Sequence, residues 1–228
     1  MNKKNKYLYF IIVLIVILII IGIYILSCRV NENVLRKEIK EVVSKDVDYD
    51  YKTDCKSRFG YCDIEEAIKA YMSEYSRRLK RIRNISKDEK ISNVLTVNNY
   101  KTDGPLFKES IEYLDNSLKE YDTNVDMLIK MSDKKYLNNY IKLYTKDKKY
   151  IKLYKEIIDD LKVYDEVDNI NELKANKINI DNTINTSIEI LYFLKTNQKK
   201  WKIDNNLIKF NDHNLLTKYN LYLKKIGK

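Results

Sequence analysis

Apolar and polar residues are segregated along this chain in two different ways. From Leu8 to Leu26 (LYFIIVLIVILIIIGIYIL) nineteen residues follow one another without a charge. As a helix rising about 1.5 Å per residue this run is roughly 28 Å long, which matches the ~30 Å hydrocarbon core of a bilayer. Beyond it the pattern turns periodic. Leu35, Ile39 and Val42 predict a short first helix, after which the segment from Asp48 to Cys62 loses the rhythm and reads as a loop. Asp63 with Glu66 three positions later is a capping signature, and Ile64, Ile68, Tyr71, Tyr75, Leu79 and Ile82 follow at steps of three and four. Ser86 with Glu89 repeats the signature for a helix carrying Ile91, Val94 and Leu95. Asn98 to Pro105 then reads as a break, because Pro105 cannot donate within a helix interior.

The most regular stripe comes next. Phe107, Ile111, Leu114, Leu118, Tyr121, Val125 and Leu128 recur at alternating steps of four and three. Such a repeat keeps one face toward a neighbouring helix along its whole length. Leu137, Tyr140, Tyr144, Ile151, Tyr154, Ile158 and Leu161 continue it on a second helix with a polar step at Asp147, and Leu173, Ile180, Ile184, Ile188 and Leu191 give a further one. Trp201 to Asp204 and Leu207 to Phe210 flank Asn205-Asn206, a pair that suits a two-residue hairpin. A last helix from about Asp212 uses Leu215, Leu216, Tyr219, Leu223 and Ile226. With four Gly and one Pro the chain lacks the punctuation of a many-turned sheet. The expectation is an all-α protein: an N-terminal membrane helix, then an antiparallel bundle of about five to six helices with a small β-hairpin near the C-terminus. Residues 1–28 form the anchor or signal, 29–62 a juxtamembrane helix and Cys loop, and 63–228 the bundle, with the hairpin at about 200–210. Abundant Lys, Asn, Ile and Tyr suggest an AT-rich bacterial genome, so the 20 tyrosines are in part codon bias.

Charge sets the expected orientation. Lys3, Lys4 and Lys6 precede the apolar run, whereas Arg29 is followed by no basic residue until Arg36 and Lys37, which favours a cytoplasmic N-terminus and an extracytoplasmic body. Ile25-Leu26-Ser27-Cys28 resembles the lipobox of bacterial lipoproteins. That resemblance implies cleavage before Cys28 and lipidation of its thiol. An uncut helical anchor is the other reading, and both put the body on a membrane surface. Ordinary signal cleavage is disfavoured, because Ile25 and Ser27 make a poor small-residue site.

The chemical inventory is thin. His213 is the single histidine and is expected to be exposed in the first turn of the last helix, with no nucleophile arranged around it. Nucleotide-binding loops and metalloprotease motifs are absent from the sequence. Neighbouring acids such as Glu65-Glu66 and Asp159-Asp160 point to different helix faces and read as solvated surface. No catalysis, cofactor or metal site is expected. Cys55 and Cys62 outside the cytoplasm would close a small hoop worth roughly 2 to 3 kcal/mol. It would display Arg58 and Phe59 with Tyr49, Tyr51 and Tyr61 nearby as a recognition loop; the other readings are a local staple or two unpaired thiols. Arg77, Arg78, Lys80, Arg81 and Arg83 crowd five cations into seven residues of a chain whose net charge is +10. They read as an anion-binding patch for lipid headgroups or wall polymers, or as a helix face paired with neighbouring acids. Nucleic acid is not an expected partner. The function expected is a non-enzymatic, membrane-tethered module that binds a protein partner or an anionic envelope component as scaffold, sensor or accessory subunit. The alternative is an immunity-type lipoprotein that captures a ligand, peptide or toxin in a pocket lined by tyrosines.

Overall fold

The computed structural model describes residues 3–44, 54–161 and 167–227. The chain is all-α apart from one hairpin, and among the described residues six helices run to thirteen residues or more. The first, α1 (Lys3–Val43), is one unbroken helix of 41 residues. The short helix expected around Leu35 is therefore the upper end of the apolar rod itself. A helix has no reason to stop where side chains change from apolar to charged, and residues 27–34 contain neither Pro nor Gly. Between Ile12 and Leu26 every residue but Gly22 is exposed, so the part of α1 long and apolar enough to span a bilayer is bare of protein. Leu35, Ile39 and Val42 are buried.

Contacts gather the chain into two units, with the division falling inside α2 (Gly60–Ser86) after Ser76. One unit holds residues 1–76 and 134–163. Its further elements are α6 (Lys134–Tyr140), a 3-10 turn (Ile141–Leu143) and α7 (Lys148–Asp160). Tyr61 stands beside Cys28 and Lys69 beside Glu38, so α2 rises along α1 in the same direction. Lys149 lies near Cys28 and Asp160 pairs with Arg36, so α7 rises too, while α6 descends from Lys134 beside Asp159 to Leu137 beside Tyr154. The single helix expected from Leu137 to Leu161 is thus two. Asp147, the polar step in the stripe, is the residue that starts the second, its carboxylate accepting from the Lys149 N–H.

The other unit holds residues 77–133 and 164–228. Helix α5 (Lys108–Met131) turns the expected stripe inward, with Phe107 buried just ahead of it at the N-cap and Leu118 half-buried, and it runs antiparallel to α8 (Val167–Thr196): Ile111 and Leu114 share a core with Leu191 and Leu194, and Lys177 pairs with Asp122 and Asp126. Strands β1 (Trp201–Asp204) and β2 (Leu207–Phe210) pair antiparallel around Asn205 and Asn206, both with positive φ. Trp201 lies against Phe107, rings 6.1 Å apart, and donates to the Leu194 carbonyl. Asp212 caps α9 (His213–Lys225), leaving His213 exposed. Two short helices precede α5. Asp88 caps α3 (Glu89–Asn93), so the start lies two residues beyond the expected Ser86, and Thr96 caps α4 (Val97–Thr102) inside the stretch read as a break.

Candidate functional site

Cys55 and Cys62 are joined by a disulfide across 5.5 Å between Cα atoms. Helix α2 begins at Gly60, inside this hoop and three residues ahead of the expected Asp63. Gly60 is there because a Cβ would come within 2.1 Å of the Tyr150 ring. The residue before it, Phe59, takes φ 56°, a region in which a bulky side chain costs about 1 to 3 kcal/mol. Its side chain is nevertheless 75 % exposed. Tyr49 and Tyr51, expected to flank the loop, lie outside the described residues, and Tyr61 is buried rather than displayed. Of the four aromatic residues expected to form a recognition surface, Phe59 is the one that the described loop presents.

The hoop is pinned from behind by a buried set of charges. Glu65 is fully buried, which corrects its assignment to solvated surface; Glu66 beside it is exposed. The Glu65 carboxylate accepts from the Lys56 N–H at 2.9 Å, the Ser57 N–H at 2.8 Å, the Ser57 hydroxyl at 2.7 Å and Lys69 Nζ at 2.7 Å. Lys69, 6 % exposed, also reaches Glu38 of α1 at 3.0 Å and the Asp54 carbonyl at 2.9 Å. Lys56 closes the set onto Glu38 at 2.5 Å. Burial pushes the carboxyl of Glu65 up, but Lys69, Ser57 and the Lys56 N–H outweigh it and hold the group below the ordinary range. Glu38 is held low in the same way by Lys56 and Lys69; burial pulls Lys69 down, but its contacts with the Glu65 and Glu38 carboxylates outweigh this and lift it above its ordinary value. Spacing offered one signal for this set, Glu65 and Lys69 at i and i+4; nothing local points to Glu38.

A second cluster surrounds Cys28. The Tyr61 hydroxyl lies beside its thiol, and Lys149 Nζ lies 4.0 Å from the sulfur. That ammonium stands 5.7 and 5.3 Å from the ring centres of Tyr61 and Tyr150, which meet edge to face at 5.2 Å. Burial, then the contact with Cys28, raises the Tyr61 pKa above its ordinary value. The Arg58 N–H donates to Asn31 Oδ1 at 3.1 Å, so the loop touches α1 one turn above Cys28. No sequence signal links Cys28 to Lys149, 121 residues away.

Elsewhere the expected sites are less concentrated. Arg77, Arg78, Lys80, Arg81 and Arg83 lie around α2 at about 100° per residue, facing several directions rather than forming one patch. Arg81 pairs with Glu120 and Arg78 donates to Asn124 at 3.2 Å. Asp159 and Asp160 are ion-paired with Lys134 and Arg36 on the surface, on different faces as expected. Cys55, Cys62 and Glu66 form a three-donor group, but with the sulfurs bonded to each other neither offers a thiolate. Clefts of about 460, 400 and 190 Å³ open in the second unit; polar side chains such as Asn99, Asp103 and Ser110 line the first, and none of the three is lined by a group of tyrosines. No family model matches this chain, and neither does any curated protein or solved structure.

Proposed function

We propose that this chain is a non-enzymatic, membrane-anchored bacterial module whose body stands outside the cytoplasm and binds a protein partner or an anionic envelope component. The observation that carries the reading is α1: an apolar span bare of protein continues without interruption into Leu35, Ile39 and Val42, which are buried in the body. A membrane span built as one rod with the domain it carries acts as a rigid stalk. The three lysines before the span favour the external orientation, and the Cys55–Cys62 disulfide supports it, since such bonds persist in oxidising compartments.

Between the two anchors, the unbroken helix through Ser27 and Cys28 favours the uncut form. The bond before Cys28 lies inside a helix whose Cys28 packs with Tyr61 and Lys149, an arrangement that the uncut form keeps whole. Scaffold, sensor and accessory roles all fit a body that presents an immobilised loop at its surface.

Expression of the full chain in a bacterial host tests this. The uncut anchor predicts an intact mass of 27.3 kDa in the carbonate-resistant membrane fraction, with the body digested by protease added to spheroplasts. Recovery as a soluble species, or a body protected until lysis, overturns the proposal. A mass lacking residues 1–27 and carrying a diacylglycerol shifts the anchor to the lipidated form. Pulldown from detergent-solubilised membranes then asks for a stoichiometric protein partner.

A further inference from the structure

We infer that the first unit is seated on the outer leaflet, with Phe59 dipping into the lipid headgroup layer and Arg58, Lys148 and Lys149 resting on anionic lipid phosphates. The inference rests on the proposed membrane anchoring and names the surface that Phe59 meets.

Helix α1 supplies the ruler. Cys28 lies two residues beyond the apolar run and Asn31 five, about 3 and 7.5 Å along the axis. The headgroup layer is about 5 to 8 Å deep on each face of a bilayer. Side chains of a helix lean toward its N-terminus, here toward the bilayer, so the groups touching Cys28 and Asn31 lie within or at the edge of that layer. Those groups are Lys149, Tyr61 and the Arg58 backbone. Tyr24, in the last turn of the apolar run, is close enough to act electrostatically on Lys149 and Tyr150. Tyrosines beside lysines at this depth have the composition of a membrane interface, where an aromatic body sits among acyl ends and a polar tip stays wet.

Phe59 is the strongest part of the case. Placed one residue past Arg58, it is held at the same level by the hoop, by the Glu65 contacts to Lys56 and Ser57, and by Gly60 against Tyr150. Its positive φ would suit Gly or Asn, and its exposure would suit a polar residue. A site that breaks both rules and is fixed on three sides is built to hold an apolar ring outside the protein. Four cations, Arg29, Arg58, Lys148 and Lys149, are exposed near the exit of the span, and they outnumber the acids there: Asp147, whose carboxylate is occupied by the α7 cap, Glu32, which pairs with Arg36, and Glu66, which lies against the sulfurs of the hoop. A lipid surface answers an exposed apolar ring and exposed cations at this height. A protein partner would meet the same ring only by reaching down to the headgroups.

Phe59→Trp in the full chain, reconstituted into vesicles, reads the contact directly, with the wild type and its one tryptophan as the blank. In phosphatidylcholine containing about 30 % phosphatidylglycerol, the added emission is expected to be blue-shifted and quenched by lipids brominated high on the acyl chain. Each cation contributes about fivefold to such an equilibrium, so Arg58→Ala, Lys148→Ala and Lys149→Ala together lower the seated population relative to the free one on the order of a hundredfold. Vesicles of pure phosphatidylcholine do the same without mutation, which guards against a triple variant that misfolds. Water-like, unquenched emission from protein that resists carbonate extraction overturns the seat and leaves the anchor standing, and Phe59 is then open to a protein partner. Wild-type protein released by carbonate overturns the anchor as well.

Discussion

Replacing Lys69 by Met tests the physical basis of the immobilised loop. Met has nearly the length of Lys and no charge, so the substitution leaves the packing volume and removes the one cation that bridges Glu38 and Glu65. Glu65 is fully buried, and its other donors are the neutral groups of Lys56 and Ser57. Removing one partner from a buried ion pair leaves an uncompensated charge and typically costs about 3 to 5 kcal/mol. For a body of this size that corresponds to a fall in Tm of roughly 6 to 20 °C. The pair as a whole is worth less than the damage done by breaking it, so Glu65→Gln with Lys69→Met should cost less than Lys69→Met alone. Acid acts on the same set. Glu38 and Glu65 are held below the ordinary value of 4.5, so their contribution is complete above that pH and drains as pH falls through the folded values. Lys69 is held above 10.5, so its share is complete below that pH and is lost only as pH rises through its folded value. Urea-dependent pulse proteolysis of the detergent-solubilised full chain gives the stability, and hydrogen exchange at the Lys56 and Ser57 amides localises it to the loop. A Lys69→Met protein within about 1 kcal/mol of wild type, with those two amides still protected, refutes the account.

Two further substitutions probe each unit. Gly60→Ala should destabilise the first unit by about 1 to 3 kcal/mol through collision with the Tyr150 ring, and Tyr150→Ala in the same chain should remove that penalty, measured by the same proteolysis. In the second unit the Tyr100 and Tyr219 hydroxyls meet at 3.0 Å among buried side chains, and burial raises both pKa values. Tyr219→Phe should strand the Tyr100 hydroxyl at a cost of about 1 to 3 kcal/mol, whereas Phe at both positions should be nearly neutral, read from the Trp201 fluorescence transition.

What could be read from the sequence was what depends on neighbours in the chain. The α5 stripe, the turn at Asn205-Asn206 and the Asp212 cap each carry their cause within a few residues, and each stands where the pattern put it. Asp147 shows the limit of that reading. A polar residue in an apolar stripe fits both a solvated step and an N-cap, and its hydrogen bond to the Lys149 N–H makes it the cap. Helix α4 was hidden for a related reason. Gly104 and Pro105 mark a real stop, but Thr96 leaves room for six helical residues before it.

The site lies beyond this kind of reading because its residues are assembled from α1, α2 and α7. The rule that Glu65 and Glu66 face different ways was sound. It could not say which of the two faces inward, because that is decided by Glu38 on another helix sharing Lys69 with Glu65. Likewise Gly60 and Tyr150 are unremarkable apart and restrictive together. Where local rules fail in an otherwise consistent fold, they fail at functional or strained positions. Here the failures fall together: a carboxylate buried behind a disulfide hoop, a glycine spared for a tyrosine ring, and a phenylalanine held outward with positive φ. Since a solvated staple needs only the disulfide, the additional buried charges and the exposed ring are accounted for if the hoop's task is to hold Phe59 in place against a surface.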